Sequence, residues 1–250
     1  MKCLTHQTAW KMKNEILFAS RKGGTGKSTL CAMVANHLAS NGMRVAVIDC
    51  DNSTTLTWRR KADMKSMPEG ERPPYPIFQD EDYFDKEHLF EEYDYVLIDN
   101  YDLARENGAG VVVVPFIYTE MVIDSTFRFV RDMGRPGNCK VLFVPNEVHG
   151  YKQSIKKRDV MENVNWILGI FGKILPKVSN SRLMDQVNTI ANTVEMNLLV
   201  KDFVDALLPE CKMSEVELTA GEESRTQDTH NDADQRTDLF SAMDEQTEEC

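Results

Sequence analysis

The sequence has no apolar run that approaches the roughly 20 residues needed to cross a membrane. It opens with MKCLTHQTAWKMKNE, which lacks the apolar stretch of a secretory signal, so the expected compartment is the cytoplasm. Its six cysteines form no C-x-x-C pair and no spacing typical of metal ligands, which favours reduced thiols. No internal repeat is present either. These absences argue against a membrane-spanning protein, a disulfide scaffold and a structural zinc site.

Negative charge is concentrated near the end of the chain. Residues 209–250 carry thirteen acidic and three basic side chains, a net charge of −10, whereas residues 1–208 have a net charge of only −1. Since this segment is poor in apolar residues, we predict disorder from about residue 211. The composition fits a partner-binding or self-shielding segment and also a plain solvated tail. The predicted organisation is therefore an N-terminal extension (1–14), one domain (15–208) and an acidic tail (209–250).

Short, continuous apolar runs rich in β-branched residues alternate with stretches of helical periodicity. Continuous apolarity indicates strands that are covered on both faces, and alternation with helices indicates right-handed crossovers. The sequence thus predicts an α/β fold, a doubly wound and mostly parallel sheet with helices on both faces. The predicted strands are 16–19, 45–48, 76–79, 95–98, 111–114, 141–144 and 173–175. The predicted helices are 28–40, 54–64, 82–92, 121–132, 155–168 and 195–207.

Polar residues follow several of these strands directly. Ser20–Lys27 comes after the first strand, Asp49 and Asp51 end the second, Asp99 ends the run 95–98, and Asn146 follows 141–144. Ligands of such sheets bind at the carboxyl ends of the strands. An acidic residue at a strand end can also simply cap the next helix, so each single aspartate has two interpretations.

The segment Arg21-Lys-Gly-Gly-Thr-Gly-Lys-Ser-Thr29 joins the first strand to an amphipathic helix. Glycines allow successive backbone N–H groups to point inward, and the helix adds its positive N-terminal end. Lys27 can reach the β- and γ-phosphates of a nucleotide, and Ser28 can offer its hydroxyl to Mg²⁺. The segment therefore predicts a phosphate-binding loop whose ligand-contacting residues are Gly23, Gly24, Thr25, Gly26, Lys27, Ser28 and Thr29.

The K-G-G-x-G-K-[ST] form of this loop resembles the deviant Walker-A loop of the ParA/MinD superfamily of ATPases. Over residues 14–208 the chain looks most similar to the small plasmid-partition ParA proteins. The resemblance implies the P-loop NTPase fold, ATP and Mg²⁺ as cofactors, and weak ATP hydrolysis. It also implies that Lys22 crosses a homodimer interface to the partner's nucleotide and acts catalytically together with Lys27.

Two further segments match the family's motifs. Val45-Ala-Val-Ile-Asp-Cys-Asp51 resembles an apolar strand that ends in D-x-D, which implies that Asp51 serves hydrolysis and that Asp49 helps to form the metal region. The run Asp51–Trp58 is similar to D-P-Q-G-S-x-x-x-W, with Asn52 and Ser53 in place of Pro and Gln.

The strand before Asp99 resembles the family's Walker-B strand, which implies that Asp99 holds Mg²⁺ through water, along with Ser28 and Asp49. The usual D-T-P-P continuation is here Asp99-Asn-Tyr-Asp102, so this switch departs from the family pattern. Asn146 and the run Ile174–Ser181 resemble family segments near the base, which implies an adenine contact for Asn146.

The resemblance implies an ATP-dependent homodimer that binds nonspecific DNA on the nucleoid and is released by a ParB-like, centromere-binding partner. A DNA-binding face would need basic residues, and the candidates fit an ordinary solvated surface equally well: Lys152, Lys156, Lys157, Arg158, Lys173, Lys177 and Arg182. A factor that positions the transfer complex of a conjugative or other mobile element would use the same cycle. A MinD-like membrane switch is disfavoured, because residues 209–250 have the wrong sign of charge for anionic lipid.

Overall fold

The strands form one parallel sheet. The computed structural model describes residues 15–51, 53–79, 92–100, 110–133, 139–146, 158–178 and 186–211. Within these residues the sheet has seven strands in the order β3-β2-β4-β1-β5-β6-β7, and every pairing is parallel. The strands are β1 (Glu15–Ala19), β2 (Val45–Asp49), β3 (Ile77–Gln79), β4 (Tyr95–Asn100), β5 (Val111–Phe116), β6 (Lys140–Pro145) and β7 (Lys173–Ile174). The predicted fold class is confirmed.

Helices cover both faces of the sheet. They are α1 (Lys27–Ser40), α2 (Thr55–Asp63), α3 (Glu120–Met133), α4 (Arg158–Phe171) and α5 (Val194–Cys211), and a short 3₁₀ turn, Met64–Ser66, extends α2. None of the described helices is both long enough and apolar enough to span a membrane. The predicted helix 82–92 lies outside the described residues, apart from Glu92.

Successive residues of each central strand enter opposite cores, because side chains alternate across a sheet. Ile16 and Phe18 of β1 pack with α1 and α5, whereas Leu17 and Ala19 pack with α3 and α4. All residues of β2, β4 and β5 are buried. The continuous apolar runs therefore arise from strands that have a core on each side, as predicted.

The last helix corrects one predicted boundary. The last helix was expected over residues 195–207, but α5 continues through Pro209 to Cys211. Leu207 and Cys211 are both buried in the core beside α1. The helix persists because its apolar stripe still has core to cover at this point. Residues 212–250, which make up most of the predicted acidic tail, lie outside the described residues.

The strand order positions the site. β1 lies between β4 and β5, so the chain leaves β1 where the order of strands reverses, which is where ligands bind in open α/β sheets. β2 and β4 are neighbours in a register that pairs Asp49 with Asp99. Two carboxylates that are 50 positions apart in the chain thus lie side by side, next to the loop that follows β1.

Candidate functional site

The loop between β1 and α1 depends on two glycines in left-handed conformations. Gly24 has φ 80° and Gly26 has φ 89°, values that L-residues with a side chain adopt only under strain. Gly26 directly precedes α1, and its carbonyl accepts the first helical hydrogen bond, from Leu30 N at 2.8 Å. The loop therefore ends at a helix N-terminus, an arrangement that favours anions.

Asn146 lies beneath this loop. It is 1% exposed, and its side-chain amide donates a 2.7 Å hydrogen bond to the Thr25 carbonyl. Its Nδ2 atom is 2.2 Å from the position that a Cβ atom on Gly26 would occupy. In the structure Asn146 thus holds the loop in place from below. An adenine contact by this residue stays a prediction, and a side chain so deeply buried beneath the loop does not favour it.

Lys27 projects from the first turn of α1 to two aspartates. Its Nζ atom lies 2.6 Å from Asp51 Oδ2 and 3.2 Å from Asp99 Oδ1. Burial by itself would lower the pKa of Lys27, but the negative charges of Asp99 and Asp51 raise it above its ordinary value. Lys27 is therefore a buried, permanently charged cation, which can also serve the phosphates of a nucleotide.

Asp51 is held from two sides. Its Oδ1 accepts hydrogen bonds from the backbone N–H and the hydroxyl of Ser53, at 3.2 Å and 3.1 Å, while Oδ2 faces Lys27. Burial would raise the pKa of this carboxyl, but the hydrogen bonds from Lys27 and Ser53 outweigh it and lower the pKa below the ordinary value. Asp51 is therefore ionised throughout the neutral range.

Asp49 and Asp99 are in a different environment. Asp49 Oδ2 accepts a 2.8 Å hydrogen bond from Thr57 N in α2, whereas its buried Oδ1 makes no hydrogen bond of normal geometry with any described residue. Burial raises the pKa of both carboxyls, and the Lys27 ammonium and the Ser28 hydroxyl offset this only in part at Asp99. Buried carboxyl groups of this kind gain free energy from an added cation.

The donor set suits Mg²⁺ bound together with a nucleotide. In the described part of the chain, no group of three or more His, Cys, Asp or Glu side chains could hold a metal alone. Mg²⁺ usually keeps several waters and binds through one or two protein oxygens plus substrate phosphates. The half-buried Ser28 hydroxyl and the orphaned Asp49 Oδ1, next to Asp99, fit that mode.

Lys22 is placed differently from Lys27. It is half-buried in the loop, and among the described residues its ammonium takes part in no ion pair or hydrogen bond. The neighbouring Arg21 is ion-paired with Asp132 of α3. Lys22 is thus a cation near the phosphate loop that is not committed to a described partner within its own subunit.

A polar clamp that was not predicted from the sequence joins α2 to the segment before α5. Arg60, 6% exposed, donates to Thr189 Oγ1, to the Thr189 carbonyl and to the Tyr75 carbonyl, at 2.9, 2.8 and 2.7 Å. Asp63 Oδ2 accepts from Thr189 N and from its hydroxyl. The position of Arg60, four residues after the buried Leu56, was the available signal, since it places the arginine on the inner face of α2.

A cavity of about 490 Å³ adjoins the loop. Its lining comes from α1, from Ser53 and the first turns of α2, and from the segment that precedes α5. The lining residues are Ser28, Thr29, Ala32, Ser53, Thr55, Leu56, Trp58, Arg59, Val187, Asn188 and Thr189. It shares Ser28 and Thr29 with the phosphate loop, so a ligand there would touch the same helix turn that follows Lys27.

Comparison with known proteins also indicates a nucleotide-binding domain. Residues 16–245 match the family described as "CobQ/CobB/MinD/ParA nucleotide binding domain". The protein virC1 of Rhizobium radiobacter is 29% identical over 133 residues, which cover 47% of this chain and 56% of virC1. A virC1 from Rhizobium rhizogenes matches equally, so this chain spans little more than half the length of these curated relatives.

Solved structures show the same fold at low identity. A chain of the MinC:MinD cell division protein complex of Aquifex aeolicus has a TM-score of 0.56 at 18% identity, covering 81% of this chain and 98% of that one. A plasmid partition protein of Borrelia burgdorferi bound to AMPPNP has a TM-score of 0.52 at 16% identity, covering 77% and 98%. With these matches and the loop geometry together, the chain belongs to the CobQ/CobB/MinD/ParA nucleotide-binding domain family.

Proposed function

We propose that this protein is a Mg²⁺-dependent ATPase that dimerises when ATP is bound and positions DNA in the cytoplasm. The observation that carries the proposal is the convergence of Lys27, Asp51 and Asp99 beside a glycine loop at the sheet's switch point. In P-loop enzymes, catalysis of phosphoryl transfer consists largely of positioning and charge stabilisation, and these residues supply both.

Each residue has a distinct task in this account. The loop amides and the N-terminus of α1 bind the phosphates, and Lys27 neutralises their charge. Bound Mg²⁺ would supply further charge neutralisation at the phosphates, held by Ser28, Asp49 and Asp99. Asp51, kept ionised by its lowered pKa, accepts a hydrogen bond from the attacking water and orients it.

Lys22 gives the proposed dimer its dependence on ATP. A triphosphate enclosed between two subunits needs additional positive charge once water is removed, and a second lysine supplies it. The absence of an ion-pair partner for Lys22 among the described residues supports a role outside its own subunit. Each subunit would then complete the site of the other.

DNA is the proposed cargo, and the likeness of the fold to plasmid partition proteins supports it. A plasmid, a chromosome or the transfer complex of a mobile element would fit the same cycle, and a ParB-like protein is the proposed partner. Of the candidate basic residues, Arg158 and Lys173 are ion-paired with Glu162 and Glu210, which reduces their value as phosphate contacts. The other candidates, except Lys177, lie outside the described residues.

The proposal is tested by light scattering and DNA cosedimentation, each with ATP, with ADP and without nucleotide. The wild type should form a dimer and sediment with DNA only with ATP. Lys22→Ala should bind ATP but do neither, while Arg21→Ala, which removes the adjacent cation, should behave as the wild type. An ATP-dependent dimer that persists without Lys22 would contradict the shared-site mechanism.

A further inference from the structure

The hydrogen bond between Asn146 and the phosphate loop fixes the direction of one backbone amide. The side-chain amide of Asn146 donates to the Thr25 carbonyl at 2.7 Å. The described peptide bonds are all trans, and in a planar trans peptide the C=O and N–H groups point in opposite directions. Because the Thr25 carbonyl faces Asn146, the N–H of Gly26, which belongs to the same peptide, points to the opposite side of the loop.

The backbone amides of this loop have no partner in the described part of the chain. None of the N–H groups from Gly23 to Thr29 donates a hydrogen bond to a described residue, and the first one that does is Leu30 N, which donates to the Gly26 carbonyl. Gly26 is only half-buried, so its N–H is open to a ligand. A phosphate oxygen on that side would accept from Gly26 N–H and would also meet the positive N-terminus of α1.

The position of Asn146 resists a rotation of this peptide. Its side chain is 1% exposed, and its backbone is fixed by a 2.7 Å hydrogen bond to the Phe116 carbonyl and by a bridge to Val178. Turning the Thr25–Gly26 peptide over would bring Gly26 N–H towards Asn146 Nδ2, so two donors would face each other. Glycine by itself imposes no such preference, because it adopts both signs of φ readily.

We propose that Asn146 is a positioning residue, which holds the Thr25–Gly26 peptide in the orientation that aims Gly26 N–H at the phosphates of the nucleotide. This inference rests on the proposed function, since it requires the loop to bind phosphate. A donor that is already oriented needs no reorganisation when the anion arrives, which strengthens binding. Without Asn146 the peptide would populate both orientations, and one of them presents a carbonyl oxygen to the phosphates.

Two probes separate positioning from a contact with the base. ATP and inorganic tripolyphosphate, each with Mg²⁺, are titrated into the full chain by calorimetry. Asn146→Ala should weaken the binding of both probes by the same factor, roughly 10- to 100-fold, as expected when one hydrogen bond to a charged group is lost. Asn146→Leu keeps a branched side chain of similar shape beneath the loop but removes the donor, and it should show the same loss. A loss confined to ATP would assign Asn146 to the base and overturn the inference.

The matched control is Asn36→Ala, which separates positioning from a purely structural role. Asn36 of α1 is 2% exposed, and its side-chain amide also donates to a backbone carbonyl, that of Asn188, at 2.8 Å. Asn36→Ala should lower the Tm, as Asn146→Ala does, yet bind tripolyphosphate like the wild type. If the Asn146 variants also lose thermal stability but keep the wild-type affinity for tripolyphosphate, Asn146 is structural only and the inference is wrong.

The Gly26 amide itself can be observed in the wild type, without any variant. Thr25-Gly26 is the only Thr-Gly pair in the sequence, so labelling threonine with ¹³C at the carbonyl and glycine with ¹⁵N isolates one amide signal by NMR. We expect this signal to move downfield when tripolyphosphate saturates the protein, because the N–H then donates to an anion. An unmoved signal in a protein that binds tripolyphosphate would overturn the inference alone. A wild type that binds neither probe would overturn the proposed function with it.

Discussion

The ammonium of Lys27 lies 2.6 Å from the carboxylate of Asp51, so the proposed phosphate ligand and the proposed water-orienting group are ion-paired with each other. A lysine that binds the β- and γ-phosphates of ATP has to share its charge between them and this carboxylate. Asp51 is also bonded to Ser53, just before α2. Phosphate binding at Lys27 is therefore coupled through Asp51 to the position of the segment that leads into α2.

Asp51→Ala should separate binding from hydrolysis. Because Lys27 loses a competing carboxylate, we expect ATP to bind at least as tightly as to the wild type, while hydrolysis falls by about 10²- to 10⁴-fold. Isothermal titration gives the affinity and phosphate release gives the rate. Unchanged turnover would assign the water-orienting role to another residue.

Gly26→Ala should abolish ATP binding and destabilise the fold by roughly 1–3 kcal/mol. The added Cβ would meet Asn146 Nδ2 at 2.2 Å, and the backbone there has φ 89°. Gly23→Ala is the control within the same loop, because no atom lies within 4 Å of its Cβ position. Calorimetry measures the loss of ATP binding by Gly26→Ala. Thermal unfolding should show a loss of stability for Gly26→Ala alone, and an equal loss in the two variants would contradict the described loop.

Asp49→Asn should stabilise the protein at neutral pH, since burial raises the pKa of this carboxyl and its ionised form is therefore costly in the folded state. A raised folded-state pKa means that the penalty is present above that pKa and disappears below the unfolded value of about 3.9. The excess in Tm of Asp49→Asn over the wild type should thus shrink as pH falls from 7 towards 4. A Tm difference that instead grows as the pH falls would contradict the raised pKa of Asp49.

Arg60→Met should cost about 3 kcal/mol of unfolding free energy, because it removes three hydrogen bonds and leaves the Thr189 and Tyr75 carbonyls unpaired. The exposed Arg128→Met, which breaks an i,i+4 pair with Asp124, should cost no more than about 0.5 kcal/mol. Urea unfolding measures both. If Arg60→Met loses no more unfolding free energy than Arg128→Met, the clamp adds no stability.

The sheet, most helices and the phosphate loop could be predicted because their signals are local. Continuous apolar runs define β1, β2, β4, β5 and β6, and the glycines, Lys27 and Ser28 occupy adjacent positions. The positions of Asp49 and Asp99 at strand ends were also predicted, whereas their side-by-side placement depends on the pairing of β2 with β4, which no sequence signal defines.

Features that rest on distant contacts could not be predicted. Asn146 and Thr25 are 121 residues apart, and Arg60 and Thr189 are 129 apart, so no sequence window contains either pair. The strand-end position of Asn146 fits a ligand contact and a contact with the loop equally well, so the sequence could not show its bond to Thr25. α5 extends past its predicted end because Leu207 and Cys211 are buried in the core beside α1.

The central claim is that this loop binds ATP through Lys27, and titration calorimetry with ATP and Mg²⁺ tests it most directly. The variant is Lys27→Ala, and the control is Lys201→Ala, which alters an exposed lysine paired with Asp205 on α5. We predict that the wild type and the control bind ATP with equal affinity and that Lys27→Ala gives no measurable binding, because the amides alone cannot neutralise the phosphates. An affinity of Lys27→Ala equal to that of the wild type would contradict the assignment of the loop.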